Sequence, residues 1–441
     1  ERKKIVFLFS DTGGGHRSAA EAIIEALDLE FPGKFDCDMV DFFKEYMPPP
    51  LNLAGPTYPI MSRLEYLYKL WYDFSDDPDR IRVISSSLWP YIRQDLYRLL
   101  DENPCDIYVS VHPLINIPLL RAIKKKGIQK PYLIVVTDLV TTPAAWYTND
   151  ADLVIIPTEQ AVRKAVRANM KPEKLKIIGL PVAEKFRQMK ESACEFRKEL
   201  GWPQDDVVIL LIGGGEGMGP LEEITRKIND AKLKATLAVI TGRNTKLKKS
   251  LESENWDIPV FVYGFVTEMP KFMCAADILV TKAGPGTISE AMIADLPIIL
   301  YHHVPGQEEG NVSYVINEGA GIWAPETDHI IEALADWINN PESIKKVIEE
   351  TGVVHCTDPF IMDPVILGDI VYLRLHGKNG KWPNYKYRYS DNDLESLTTK
   401  ILNYIRKGGS EIYVMFNNVY MYYDSLAFKK KCISAFQGKC V

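Results

Sequence analysis

The sequence predicts an α/β protein built from two Rossmann-like halves with a cleft between them, followed by a C-terminal α/β fragment. Three observations carry this prediction. The chain opens with a continuous apolar run that ends in a glycine turn, a second strand–helix alternation with its own glycine-rich loops begins near residue 207, and the composition changes after Pro341. The boundaries read as 1–180, 181–345 and 346–441.

Lys4–Phe9 (KIVFLF) is apolar without interruption, as a parallel strand buried on both faces requires. After the turn, Ala19, Ala20, Ile23, Ile24 and Leu27 recur at helical spacing. Strand-like runs follow at 107–111, 132–137 and 153–156, each beside a helical pattern, and 176–181 closes the unit. The second alternation has strands at 207–212, 237–241, 260–262, 278–280 and 298–300. Two such halves hold a ligand between them, at the carboxyl ends of their strands. From 351 onward the chain is rich in Tyr and Asn, with strands expected at 370–375 and 412–416 around a helical pattern.

At 441 residues the chain exceeds one core and calls for two or three domains. A content of 46% hydrophobic and 25% charged residues excludes disorder, and a net charge of -7 argues against a general nucleic-acid binder. The seven cysteines are odd in number, form no CxxC pair and show no metal-ligand spacing, so a reducing cytoplasm and no bound metal are expected. The apolar runs are strand-length, too short to cross a bilayer. The chain opens at Glu1 rather than Met, which leaves room for a targeting segment ahead of it.

Three loops carry candidate chemistry. In Ser10-Asp11-Thr12-Gly13-Gly14-Gly15-His16, the glycines let backbone N–H groups approach a polar ligand. His16 falls at a helix N-terminus, where the dipole favours neutral imidazole, a competent base near pH 7; the alternative is a surface histidine on a glycine turn. The loop Gly213-Gly214-Gly215-Glu216-Gly217-Met218-Gly219 fits neither the P-loop nor the dinucleotide fingerprint and reads as a backbone cradle for a diphosphate, or else as a tight strand–helix crossing. The third set, Lys282-Ala283-Gly284-Pro285-Gly286-Thr287 with Glu290, then Gly306-Gln307-Glu308 and Asn311, offers a carboxylate able to accept from both ribose hydroxyls and an amide for sugar hydroxyls.

The motifs GGGHRSAAEAI, GGGEGMGP, TGRN, GFV, TKAGPGTISEAM and GQEEGN resemble the monogalactosyldiacylglycerol synthase group of glycosyltransferases, relatives of the lipid-II N-acetylglucosaminyltransferase, from the start of the chain to about residue 345. The resemblance implies the GT-B fold and inverting, metal-independent transfer of a hexose, galactose or glucose, from a UDP-sugar to diacylglycerol, with no cofactor. It makes His16 the catalytic base, with Gly14, Gly15 and Trp146 on the acceptor side. Gly213, Gly214, Gly215 and Gly217 become the diphosphate loop, Phe265 and Val266 flank the uracil, Glu290 binds ribose within the set containing Gly284, Gly286 and Thr287, and Gln307, Glu308 and Asn311 contact the donor sugar. The rival readings are another GT-B enzyme, such as a lipid-II-type transferase or a UDP-sugar epimerase, and an inactive nucleotide-sugar-binding fusion.

A lipid acceptor needs a landing surface. Within 47–74, Ile60, Leu64, Leu67, Trp71 and Phe74 fall on one helical face with Tyr58, Tyr66, Tyr68 and Tyr72 interleaved; Arg63, Lys69, Arg80 and Arg82 are candidates for anionic head groups. The alternative is a helix packed on the core. Peripheral attachment on the cytoplasmic side of a membrane is the expectation. The family's chains end in helices that cross back to the N-terminal half, whereas this pattern stops after 339–343. Residues from about 350 to 430 instead resemble the end of an uncharacterised barrel family (YecE-like proteins of unknown function), through 371–377, 387–391 and 413–418. There, Arg374 and His376 read as structural strand residues or remnants of a site.

Overall fold

Seven consecutive residues that are apolar or aliphatic-stemmed make β1 (Lys3–Phe9) a strand that only a sheet interior can accommodate, and Val6, Phe7 and Leu8 are fully buried in it. The computed structural model describes residues 2–11, 14–55, 57, 64–339, 356–357, 359–360, 370–375, 377–378, 386–406, 410–416, 418 and 420–435. These fall into two compact units, up to Asn339 and from Asn340.

The first unit holds two six-stranded parallel sheets. The first runs in the order β2-β1-β3-β4-β5-β6, with β2 at Phe35–Asp41, β3 at Ile107–Ser110, β4 at Tyr132–Val135, β5 at Leu153–Ile156 and β6 at Leu175–Ile177. The second runs β12-β11-β10-β7-β8-β9, with β7 at Val207–Ile212, β8 at Ala235–Ile240, β9 at Val260–Tyr263, β10 at Ile278–Lys282, β11 at Ile298–His302 and β12 at Gly321–Trp323. The strand order reverses between β1 and β3 and between β7 and β10, so each sheet has a switch point at which parallel sheets bind ligands. The sequence reading passed over β2 and β12. Asp36, Asp38 and Asp41 interrupt β2, an edge strand with one partner, and β12 has three residues.

Five helices of this unit matter to the cleft: α1 (Gly15–Glu30), α2 (Glu65–Ser75), α3 (Pro78–Glu102), α4 (Pro285–Ile293) and α5 (Glu309–Asn317). Asp77 caps α3, accepting from the amides of Asp79 (3.0 Å) and Arg80 (2.9 Å), and Pro78 fills the first position, where no N–H is needed. Ala19 and Ala20 seat α1 against the first sheet, while Ile288 and Ala291 seat α4 against the second.

The second unit has a parallel sheet β13-β14-β15 (Cys356–Thr357, Ile370–Leu375, Glu411–Phe416) with α6 (Asp391–Arg406) and α7 (Met421–Ala435). Val371, Leu373 and Leu375 alternate into a core with Leu394, Leu397, Ile401 and Phe428. Arg374 is an exposed strand residue, and His376 lies outside the described residues.

Leu8 has no exposed surface and packs among β1, β3 and α3 residues. Leu8→Ala is expected to cost about 2–5 kcal/mol and to lower the melting transition by roughly 4–10 °C. An unchanged melting curve, read by circular dichroism, contradicts this core assignment.

Candidate active site in the cleft

The base side is built where β1 gives way to α1. Gly14 takes a left-handed φ of 84° as the helix cap, so His16 becomes the second residue of α1. Thr12 and Gly13 lie outside the described residues. His16 Nδ1 is 2.8 Å from Thr137 Oγ1, and its ring is 4.5 Å from that of His112 and 6.2 Å from Trp146. Burial pushes His16 down to about 4, with the Val111 carbonyl pulling weakly the other way, so the imidazole is neutral at pH 7. A Cβ on Gly14 or Gly15 meets nothing within 4 Å, so this backbone faces open space.

His112 was not singled out by sequence. It is buried against the edges of Phe42 and Phe43, and its Nδ1 accepts from Leu114 N (3.3 Å). Burial, then the charge of His16, holds it well below the usual histidine range. Trp146, expected on the acceptor side, shows no surface at all. It is a buried wall whose Nε1 donates to Asp138 Oδ2 at 2.7 Å.

The donor side lies at the carboxyl ends of β7 and β10. Three glycines of the 213–219 loop are forced by packing: a Cβ would sit 2.1 Å from the Thr241 carbonyl oxygen at Gly217, 2.6 Å from that of Met218 at Gly213 and 2.6 Å from the Tyr301 ring at Gly219. The N–H of Gly217 is already given to Gly214 O (3.1 Å), so Gly217 shapes the loop rather than offering an amide. Gly214 lies against Lys282, whose Cε is 3.1 Å from a Cβ built there; Gly215 lies near Arg243, whose Nη1 is 3.6 Å from the corresponding Cβ. The Lys282 ammonium is 2.6 Å from Glu308 Oε1, and Glu308 Oε2 accepts from Val304 N (2.9 Å). Gly284 caps α4, with Gly286 and Thr287 in its first turn. A glycine loop, a helix N-terminus and an ammonium therefore converge, an arrangement suited to a diphosphate.

Two expected sugar contacts turn toward the protein instead. Glu308 is buried in its pair with Lys282, and buried Asn311 donates from Nδ2 to Ala283 O (2.9 Å), tying α5 to the 283–287 turn. The buried Glu308 carboxylate needs such a partner, and Lys282 supplies it.

Glu290 lines a pocket of about 300 Å³ together with Ser18 and Glu25 of α1, Pro181, Lys185 and Thr267. Burial pushes its carboxyl up to about 7, against the pull of Lys185. Phe265 is exposed, with the Arg243 guanidinium 4.5 Å from its ring and Arg243 Nη1 2.6 Å from Glu216 Oε1. Val266 packs against the core of this half.

The two halves meet through the 306–310 loop. Gln307 Nε2 donates to Asp138 Oδ1 (3.2 Å), Gly310 N donates to Thr141 Oγ1 (3.0 Å), and a Cβ on Gly306 would sit 2.8 Å from the Tyr72 ring. Burial raises Asp138 to about 6 even though Trp146 and Gln307 both donate to it. Lys69 pairs with Glu309 at 2.9 Å on the surface, and Tyr72 is buried with its hydroxyl on Thr141 O, so Tyr72 does not serve the membrane face expected of it. Tyr66, Leu70 and Phe74 of α2 are exposed, as is Leu64 just ahead of it, with Arg80 5.1 Å from the Phe74 ring. Tyr58, Ile60 and Arg63 lie outside the described residues, as do the side chains of Leu67, Tyr68 and Trp71.

Residues 16–182 match the family model for monogalactosyldiacylglycerol (MGDG) synthase, residues 208–353 that for the glycosyltransferase family 28 C-terminal domain, and residues 324–437 that for protein of unknown function DUF72. The chain is 37% identical over 366 residues to the chloroplastic monogalactosyldiacylglycerol synthase of Spinacia oleracea, covering 80% of this chain and 69% of that one. It is 37% identical over 364 residues to chloroplastic monogalactosyldiacylglycerol synthase 1 of Arabidopsis thaliana, covering 80% and 68%. Among solved structures, the UDP-GlcNAc 2-epimerase from Neisseria meningitidis bound to UDP-GlcNAc aligns with a TM-score of 0.50 at 15% identity, over 78% of this chain and 93% of that one. The glycotransferase of kitacinnamycin aligns at 0.50 and 14%, over 80% and 96%. Such identities speak for the fold alone, and that fold is the two-domain GT-B arrangement.

A carboxylate accepting from ribose hydroxyls must be ionised, so uridine binding is expected to release a proton from Glu290. Affinity then rises with pH up to about 7 and levels above it, falling by up to about tenfold per pH unit on the acid side. Glu290→Gln removes that dependence; a wild-type affinity flat from pH 5.5 to 8 by calorimetry refutes the assignment.

Proposed function

The chain belongs to the monogalactosyldiacylglycerol synthase family of glycosyltransferases, and from that premise we propose that it transfers a hexose, galactose in preference to glucose, from a UDP-sugar to diacylglycerol at a membrane surface. One observation carries the reading: neutral His16 and the Lys282-flanked diphosphate cradle belong to opposite halves that Asp138 and Gln307 tie together.

The chemistry is a single displacement. The acceptor hydroxyl gives its proton to His16 as its oxygen bonds to the anomeric carbon. The bond from that carbon to the diphosphate oxygen breaks, its electron pair leaves with UDP, and the anomeric centre inverts. Negative charge grows on the leaving phosphate, where the backbone of Gly214 and Gly215, the N-terminus of α4 and the Lys282 ammonium oppose it. The metal-independent form of the reaction rests on that positive set. Thr137 at His16 Nδ1, with the Val111 carbonyl, fixes the ring.

Peripheral attachment is part of the proposal. Among the described residues no helix is long and apolar enough to cross a membrane. The exposed Leu64, Tyr66, Leu70 and Phe74 give α2 an interfacial face, and exposed Arg80 and Arg82 suit anionic head groups. The plant relatives carry the chloroplast in their names.

Incubation with diacylglycerol vesicles and UDP-galactose or UDP-glucose, with products read by mass, is expected to give a monohexosyl lipid, more from UDP-galactose. Binding of UDP without product from either donor refutes the enzyme reading. His16→Ala is expected to lower kcat by roughly 10²–10⁴ while UDP affinity stays within about twofold. A near wild-type rate removes the base assignment.

A further inference from the structure

We propose that Asp138 is a positioning residue that sets the orientation of the Gln307 amide and keeps the donor-sugar contact in register with the catalytic base. This rests on the preceding reading of the cleft. Asp138 follows Thr137, and the two consecutive residues beyond β4 serve opposite sides of the reaction. Thr137 Oγ1 holds His16 Nδ1 at 2.8 Å, while Asp138 reaches Gln307 of the other half.

The assignment follows from donor and acceptor logic. Asp138 is 4% exposed, and its carboxylate can only accept. The Trp146 indole can only donate, and it occupies Oδ2 at 2.7 Å. Oδ1 therefore demands a second donor, and the only such group on Gln307 is its NH₂, 3.2 Å away. That choice turns the amide carbonyl of Gln307 away from Asp138. The side chain's polarity toward a hexose is thus dictated by a residue that need not touch the hexose. The backbone carrying Gln307 is held independently: Gly306 backs onto the Tyr72 ring and Gly310 onto Val140 and Thr141, each too close for a Cβ. Asp138 therefore acts on how the amide faces, not on where the loop lies. A reacting group displaced by about an ångström loses on the order of 10² in rate, so a link from the base's partner to the sugar contact has kinetic weight.

The test is a charge-conserving exchange in the full chain: D138N, Q307E and the double variant D138N/Q307E. D138N puts an NH₂ against one of two N–H donors. Q307E sets two carboxylates together in a buried site. In the double variant the new asparagine accepts from the indole and donates to the new carboxylate, which again shows the cleft an acceptor. The expected kcat/KM with UDP-galactose and diacylglycerol vesicles falls by roughly tenfold or more in each single variant and returns to within about threefold of wild type in the double. By calorimetry, D138N loses roughly tenfold in affinity for UDP-galactose while its affinity for UDP stays within about twofold.

A double variant no better than the worse single refutes the proposal. So does a D138N that loses affinity for UDP and UDP-galactose equally with a lowered melting temperature, since Asp138 then only holds the fold. A wild type that makes no hexosyl lipid defeats the preceding reading instead, and the calorimetric comparison still decides the role of Asp138.

Discussion

Parallel strands bring all their carboxyl ends to one edge of a sheet, and the cleft is built from that constraint. His16 follows β1, His112 follows β3, Thr137 and Asp138 follow β4, the glycine loop follows β7, Lys282 ends β10 and Gln307 follows β11. No long connection gathers these groups; the winding of the chain does. What each half lacks the other supplies. The N-terminal half has a neutral buried histidine and a buried carboxylate, the C-terminal half has the positive ends and the amide, and the two sets meet at the junction.

The cleft also shares an electrostatic character. Burial drives His16 down to about 4, Asp138 up to about 6 and Glu290 up to about 7, and in each case the shift favours the neutral form. In such a setting the Lys282 ammonium is retained with a counter-ion, Glu308. An arriving diphosphate is a second anion for that ammonium, and the low dielectric that penalises stray charge strengthens the attraction once water is displaced.

Much of this was legible in the sequence. The inner strands announce themselves because a parallel strand covered on both faces has no polar side to disguise it; β2 hid because an edge strand may carry Asp36 and Asp38. The glycine loops were legible as loops, but the reason for individual glycines was not, since Gly217 answers to Thr241 and Gly310 to Thr141, far along the chain. Lys282 stood inside a quoted motif without a role and Asp138 was not singled out, because ion pairing with Glu308 and bonding to Gln307 are long-range facts. The same holds for Lys69 and Tyr72. Helical spacing gave α2 an apolar stripe, but only packing shows which face meets the neighbouring half.

Gly306 pressed against Tyr72 has a consequence for how the halves part. The backbone of the loop bearing Gln307 is seated directly on the other half at Gly306 and Gly310, where neither position leaves room for a Cβ. Gly306 and Gln307 are neighbours in sequence, so any parting of the two halves that lifts Gly306 from the Tyr72 ring also strains the bond from Gln307 to Asp138.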